Sequence, residues 1–217
     1  MLRLIHTALG RALSLLFPEK CIECGRTDEI LCEKCANKTR LQMRGRNSIL
    51  YLDKLYYWGI YENEVLREAL RRFKYHGIKS FAEPFSKMLA KSISLDLTKF
   101  KDDALIIPIP AHKERKRERG YNQAELLAER VAEKISVPIR SDVLIKIINT
   151  KSQTYLSGEE RIFNIKKSFA ISNPEIVKNK KIILVDDITT TGATLSEAAK
   201  ILKEAGALSV SGLVVAK

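Results

Sequence analysis

One segment constrains the fold more than any other: Ile182-Ile183-Leu184-Val185-Asp186-Asp187-Ile188-Thr189-Thr190-Thr191-Gly192-Ala193-Thr194. Its apolar start, Lys181–Val185, has no polar alternation and reads as a strand buried on both faces, the kind found in parallel sheets covered by helices. The same pattern recurs along the chain. Ala104–Ile109 and Ser209–Ala216 read as further buried strands, and Ile139–Ile147 as another. Asn122–Ile135 and Leu195–Ala205 read as helices between them. Strand, helix and strand in succession predict an α/β fold with a parallel sheet flanked by helices, and ligands of such sheets bind at the carboxyl ends of the strands.

Two strands end in unusual segments. After Val185 come two adjacent carboxylates, Asp186 and Asp187, then a hydroxyl-rich loop that enters a helix. Backbone N–H groups at a helix start, with threonine hydroxyls beside them, cradle a phosphate. The acid pair suits vicinal sugar hydroxyls, or a divalent cation reached through water. A sugar diol with a terminal phosphate describes a phosphorylated ribose. The alternative reading is a solvated acidic turn capped by threonine. A Walker loop is excluded, because no Gly-Lys-Ser/Thr occurs.

The second segment follows Ile107-Pro108-Ile109-Pro110. Ala111–Gly120 reads as a basic loop in which Lys113, Arg115, Lys116, Arg117 and Arg119 face only Glu114 and Glu118. These cations at the mouth of a sheet suit a pyrophosphate; a solvated charge run is the alternative. Gly120-Tyr121-Asn122-Gln123 then opens a helix, with Asn122 as a cap. Upstream, Leu50–Tyr61 reads as a strand or hairpin, and Pro84–Ile93 as a helix. Glu62–Tyr75 reads as a helix with Val65, Leu66, Ala69, Leu70 and Phe73 on its apolar face and Arg67, Arg71, Arg72 and Lys74 on its polar face. His6, His76 and His112 are single residues without metal spacing, although His112 lies inside the basic stretch.

All four cysteines fall in Cys21-x-x-Cys24 and Cys32-x-x-Cys35. Two such pairs complete a tetrahedron of thiolates around one zinc ion. Two disulfides or a redox pair are the alternatives; the first needs an oxidising compartment and the second only one pair. A closed four-thiolate site stabilises and does not catalyse. Met1–Phe17 is apolar at helical spacing through Leu2, Ile5, Leu9, Ala12, Leu13 and Leu16, and reads as an amphipathic helix that docks on the body, with a membrane-surface role as the alternative. Arg3, His6 and Arg11 interrupt it, and no small-residue cleavage site precedes Pro18, so a cytoplasmic protein is expected. The chain therefore divides into a zinc module over residues 1–46 and an α/β domain over 47–217.

Charge bears on the partner. The 38 Lys and Arg against 26 Asp and Glu give +12, which implies an anionic partner without choosing among nucleic acid, phosphorylated metabolite and acidic surface. At 45% hydrophobic residues the chain has enough apolar material for a sizeable core, and no run of 18 apolar residues exists.

The segment 182–194 resembles the PRPP-binding motif of type I phosphoribosyltransferases. With the two Cys-x-x-Cys pairs, Phe73-Lys74-Tyr75-His76-Gly77, Ile107-Pro108-Ile109-Pro110, Arg119-Gly120-Tyr121-Asn122-Gln123 and Thr150, Gln153, Thr154, Arg161 and Asn164, the chain resembles the ComF family. That family is associated with bacterial competence and DNA uptake and couples a zinc-binding N-terminus to a phosphoribosyltransferase-like domain. Tyr121 stands where the family often has Phe, and Ala111 where Leu is frequent. The resemblance implies that Asp186 and Asp187 meet the ribose hydroxyls and that Thr189, Thr190, Thr191, Gly192, Ala193 and Thr194 wrap the 5′-phosphate. Lys113, Arg115 and Arg119 would face the pyrophosphate, and magnesium would accompany PRPP. Asn149–Asn164 would correspond to a flap, or be a surface loop. Two functions follow. One is a magnesium-dependent phosphoribosyltransferase with an unidentified acceptor. The other is a non-catalytic DNA-uptake factor, a partner of recombination proteins, that binds single-stranded DNA on basic faces near Tyr51, Tyr56, Tyr57 and Trp58; these aromatics suit core positions equally.

Overall fold

The computed structural model describes residues 18–41, 49–100, 103–148 and 167–217. The expected helix Met1–Phe17 and the expected flap Asn149–Asn164 lie outside them. Four strands form one parallel sheet: β1 (Lys54–Gly59), β2 (Ala104–Pro108), β5 (Lys181–Ile188) and β6 (Ser209–Ala216), in the order β1-β6-β5-β2. Val185 lies opposite Leu213 on one side and Pro108 on the other, so β5 is central.

Alternation along these strands sorts their side chains to two faces. Ile106, Ile183, Val185, Leu213 and Val215 join one core with α2 (Glu64–Tyr75), α3 (Ala82–Ile93) and α5 (Gln123–Ile135). Leu105, Ile107, Ile182, Leu184, Val210 and Val214 join a second core with α6 (Ala193–Glu204). Helices therefore cover both faces, as the unalternated apolar runs predict. Among the described residues no helix is long and apolar enough to cross a membrane.

Three expectations change. Leu50–Tyr61 holds a strand only over Lys54–Gly59, and it pairs in parallel with β6. The expected strand Ile139–Ile147 is split. Ile139 reaches the parallel sheet through one bridge to Ile106, and then Arg140 pairs with Asp142 at 2.8 Å and the chain turns away. Beyond the turn, β3 (Leu144–Lys146) joins β4 (Phe169–Ile171) in a separate antiparallel pair. The basic stretch is not a loop: Lys113–Arg119 forms helix α4, capped by the His112 ring, which accepts from the Glu114 N–H at 3.4 Å. It ends at Gly120, whose φ of +78° is the left-handed conformation that closes such helices.

The cysteine segment packs on the body and shares its first core. Cys21, Cys32, Cys35 and Ala36 are buried with Trp58 and Leu66. The Trp58 indole N–H donates to the Ala36 carbonyl (3.1 Å) and the Thr39 hydroxyl (3.0 Å), and the Leu41 N–H donates to the Trp58 carbonyl at 2.9 Å. This close approach needs glycine at the end of β1. A Cβ at Gly59 would stand 2.5 Å from the Thr39 carbonyl oxygen and 2.9 Å from a Leu66 methyl. Gly59→Ala is expected to cost about 2 kcal/mol through overpacking, roughly 4–8 °C in melting temperature for a chain of this size, measurable by thermal unfolding.

Candidate functional site

All four strands of the main sheet run the same way, so the segments that follow them meet at one edge. They enclose a cleft of about 290 Å³. Its floor is the end of β5. Asp187 is 3% exposed, and the Lys74 ammonium lies 3.2 Å from both of its carboxylate oxygens, donating to Oδ1, while Oδ2 makes no hydrogen bond. The Asp187 N–H donates to Asp186 at 2.8 Å. Burial, and then the neighbouring Asp187 carboxylate, push the Asp186 carboxyl up to about 8. Burial works against the charge on Lys74, but Asp187 and Asp186 outweigh it and raise its pKa.

The hydroxyl-rich loop rises from this floor. The Thr189 N–H donates to the Ala216 carbonyl at 3.0 Å, tying the loop to β6. The Thr191 hydroxyl accepts from the Ala193 N–H at 3.4 Å, at the start of α6. Gly192 has φ +77°, and a Cβ there would stand 2.5 Å from the Ile49 side chain, so only glycine fits the turn. Thr189 to Thr194 all line the cleft with the helix start behind them, an arrangement suited to a phosphate.

The facing wall is basic. Arg115 and Arg119, four residues apart on α4, both line the cleft. Burial and the nearby Arg119 charge lower the Arg115 pKa. Lys113 is on the same helix but does not line the cleft, and Lys116 turns outward to pair with Glu125 at 2.9 Å. His112 lines the cleft as well as capping α4.

Three cleft cations, Arg71, Lys74 and Lys146, are absent from the site read from the sequence. Lys74 has the helical spacing of the polar face of α2, yet it sits at the helix's last turn, where the chain bends over the end of β5. Lys146, on β3, is held down to about 8 by burial and by Arg115; its position depends on the β3–β4 pair, which no local pattern announces. The segment Gly120–Gln123 explains how Lys74 is aimed. The Tyr121 hydroxyl donates to the Phe73 carbonyl, and the Gln123 amide to the Lys74 carbonyl at 3.3 Å. Asn122 donates to the Ile109 carbonyl (3.1 Å) and accepts from the Ala124 N–H (3.2 Å). One short segment thus joins the end of α2, the end of β2 and the start of α5.

A second cluster lies apart from the cleft. The sulfur atoms of Cys21, Cys24, Cys32 and Cys35 all lie within 4.8 Å of one another, with Cys24 and Cys32 at 3.7 Å. Cys32 and Cys35 bracket the start of α1 (Glu33–Lys38), and Gly25, at φ +71°, closes the turn after Cys24. These four sulfurs fit a tetrahedral metal ion. Of the aromatic residues near the basic surface, Trp58 and Tyr56 are core at 1% and 7% exposed, whereas Tyr51 is 49% exposed.

A family model described as phosphoribosyl transferase domain matches residues 122–217. Competence protein ComFC of Bacillus subtilis is 34% identical over 208 residues, covering 90% of this chain and 76% of the relative. Competence protein F of Haemophilus influenzae is 28% identical over 86% of this chain and 79% of its own length. Competence protein ComFC of Streptococcus pneumoniae is 30% identical over 88% of this chain and 84% of its own.

The raised pKa of Asp186 makes stability depend on pH. Its folded-state value of about 8 exceeds the ordinary carboxylate range, so its contribution is complete below that range and disappears as pH rises through about 8. The melting temperature of the unaltered protein minus that of Asp186→Asn should therefore fall between pH 5 and pH 8 without ligand. A difference that stays constant across this range contradicts the burial argument.

Proposed function

The chain belongs to the ComF family of competence proteins, and we propose that it binds PRPP at the carboxyl edge of its sheet and transfers the phosphoribosyl group to a nitrogen acceptor. One observation carries the reading: an acid pair, a hydroxyl-rich helix start and a set of cations all line a single cleft. In this reading Thr189–Thr194 hold the 5′-phosphate, and Asp186 and Asp187 orient the ribose through its hydroxyls. Arg115 and Arg119 meet the diphosphate, with Lys74 and Lys146 at its flanks; Lys113 supports them only through the field of α4.

The acceptor's lone pair forms the bond to C1 of the ribose as the C1–O bond to the diphosphate breaks. That bonding pair leaves on the diphosphate, and the acceptor's proton passes to solvent. Positive charge builds on the ribose ring during this exchange, and the Asp187 carboxylate beneath it stabilises that charge while the guanidinium groups stabilise the departing anion. Asp186 and Asp187, whose Oδ2 is buried without a hydrogen bond, fit the carboxylate donors that a magnesium ion needs, and such an ion would supply further charge neutralisation to the diphosphate. The four cysteines in this reading hold a structural zinc ion, and residues 1–46 act as a stabilising module on the domain that follows.

A second reading is a non-catalytic DNA-uptake factor that binds single-stranded DNA. The net charge of +12 supports it, as do the competence names of the relatives. The burial of Tyr56 and Trp58 takes two stacking surfaces away from it.

Calorimetric titration with PRPP and magnesium should give one site per chain, and Asp186→Asn and Arg119→Ala should each weaken it about tenfold or more. Unchanged affinity in both variants overturns the assignment. Pyrophosphate release with a panel of nucleobases separates transfer from binding alone, and an oligonucleotide that binds without any PRPP binding favours the second reading. Metal analysis should find one zinc per chain. Cys32→Ser or chelation should destabilise the protein by at least about 2 kcal/mol, roughly 4–8 °C, as seen by thermal unfolding.

A further inference from the structure

The threonine loop has a front that opens into the cleft and a back that faces the protein. Its turn residue, Gly192, is the N-cap of α6 and has no side chain to hold it in place. The back of this turn is covered by one residue distant in sequence. A Cβ on Gly192 would stand 2.5 Å from Cγ1 of Ile49, 2.7 Å from Cδ1 and 3.1 Å from Cγ2, so the isoleucine fills the space a side chain would take. Ile49 is 9% exposed, shares the second core with Ala193 and Leu195 of α6, and does not line the cleft.

Ile49 begins a tight strap over residues 49–53. The Leu52 N–H donates to the Ile49 carbonyl at 3.4 Å, and Tyr51 between them is held at φ +63°, a conformation that bulky side chains rarely adopt. Such strain persists only where the surroundings impose it. Asp53 supplies the constraint at the far end. Its N–H donates to the Val210 carbonyl at 2.9 Å, and its carboxylate accepts from the Val210 N–H at 2.7 Å, which ties the strap to β6. The same carboxylate takes the Lys203 ammonium at 2.8 Å, which ties it to α6. The strap is therefore clamped to β6 and α6, the two elements that flank the loop, while its near end rests on Gly192.

A loop that presents several N–H groups to one phosphate binds it more tightly when it already holds that shape, because the cost of ordering is removed from the binding step. We infer that Ile49 is a positioning residue for this loop, and that the strap 49–53 holds the Gly192 turn in its anion-binding shape before a ligand enters. This rests on the reading of Thr189–Thr194 as the 5′-phosphate site, and adds to it a residue that acts through Gly192 without touching the ligand.

The test combines hydrogen exchange of the ligand-free full chain with calorimetric titration by ribose 5-phosphate. The Ser196 N–H donates to the Gly192 carbonyl at 2.8 Å, so its exchange reports on the turn. In Ile49→Ala that amide should exchange about tenfold faster while the β5 amides stay slow, and ribose 5-phosphate should bind about tenfold more weakly. Ile49→Val keeps Cγ1 and Cγ2 against the turn and should stay within about twofold of the unaltered protein in both. Asp53→Ala, at a half-exposed position, releases the far end of the strap and should act in the same direction as Ile49→Ala. Leu89→Ala removes a side chain from the first core, on the other face of the sheet; it should lower the melting temperature and leave the affinity in place. Unchanged Ser196 exchange or unchanged affinity in Ile49→Ala overturns the inference, and so does an equal loss of affinity in Leu89→Ala. If the unaltered protein does not bind ribose 5-phosphate, the sugar-phosphate reading fails and the positioning role with it; if it binds and Ile49→Ala binds equally well, the positioning role alone is lost.

Discussion

Asp187, at the end of a buried strand, carries a charge that the strand cannot neutralise, and the Lys74 ammonium, 3.2 Å from both of its oxygens, is what allows it to stand there beside Asp186, whose own carboxyl is pushed up to about 8. A charge taken from water with no partner is costly, and two like charges raise that cost. The rest of the cleft follows from the need to bring a lysine to that point. Lys74 is 113 residues away in sequence, and its helix end is held by hydrogen bonds from Tyr121 and Gln123. Those residues are fixed in turn because Asn122 bonds to the end of β2. Three elements therefore converge on one acid pair.

The parallel sheet turns that convergence into a binding site. Strands that run the same way deliver their carboxyl ends to one edge, so the segments after β1, β5 and β2 meet there without a special device. The threonine loop brings a helix start, α4 brings two guanidinium groups, and the end of α2 brings Lys74. Positive groups surround the buried Asp187 and its neighbour Asp186, so the cleft suits a ligand with anionic ends and a hydroxyl-bearing middle. The cysteine module contributes from a distance. It packs against Trp58 and Gly59 at the end of β1.

How legible this was depends on how local each signal is. The buried runs of β2, β5 and β6, the acid pair and the threonine loop with Gly192 are all written within a few consecutive residues, and so is the four-cysteine cluster. Lys74 was not legible in the same way: its spacing on α2 is that of a solvated face, and only the tertiary bend over β5 buries it. Lys146 depends on a pairing between segments more than 20 residues apart. Helix α4 was missed for a different reason. A dense run of charge reads as a loop, yet Lys, Glu and Arg are good helix formers, and Gly120 after them is a helix stop signal that the sequence does contain. The long strand expected at Ile139–Ile147 fails because Ser141 and Asp142 interrupt it, and Ser172 binds the Asp142 carbonyl at 2.6 Å to turn the chain toward β4.

The most direct test of the account is a structure of the protein determined with PRPP and magnesium. It should show the 5′-phosphate against Thr189–Thr194, the ribose hydroxyls over Asp186 and Asp187, and the diphosphate against Arg115 and Arg119. PRPP bound away from the acid pair, or turned so that its diphosphate occupies the threonine loop, would contradict it.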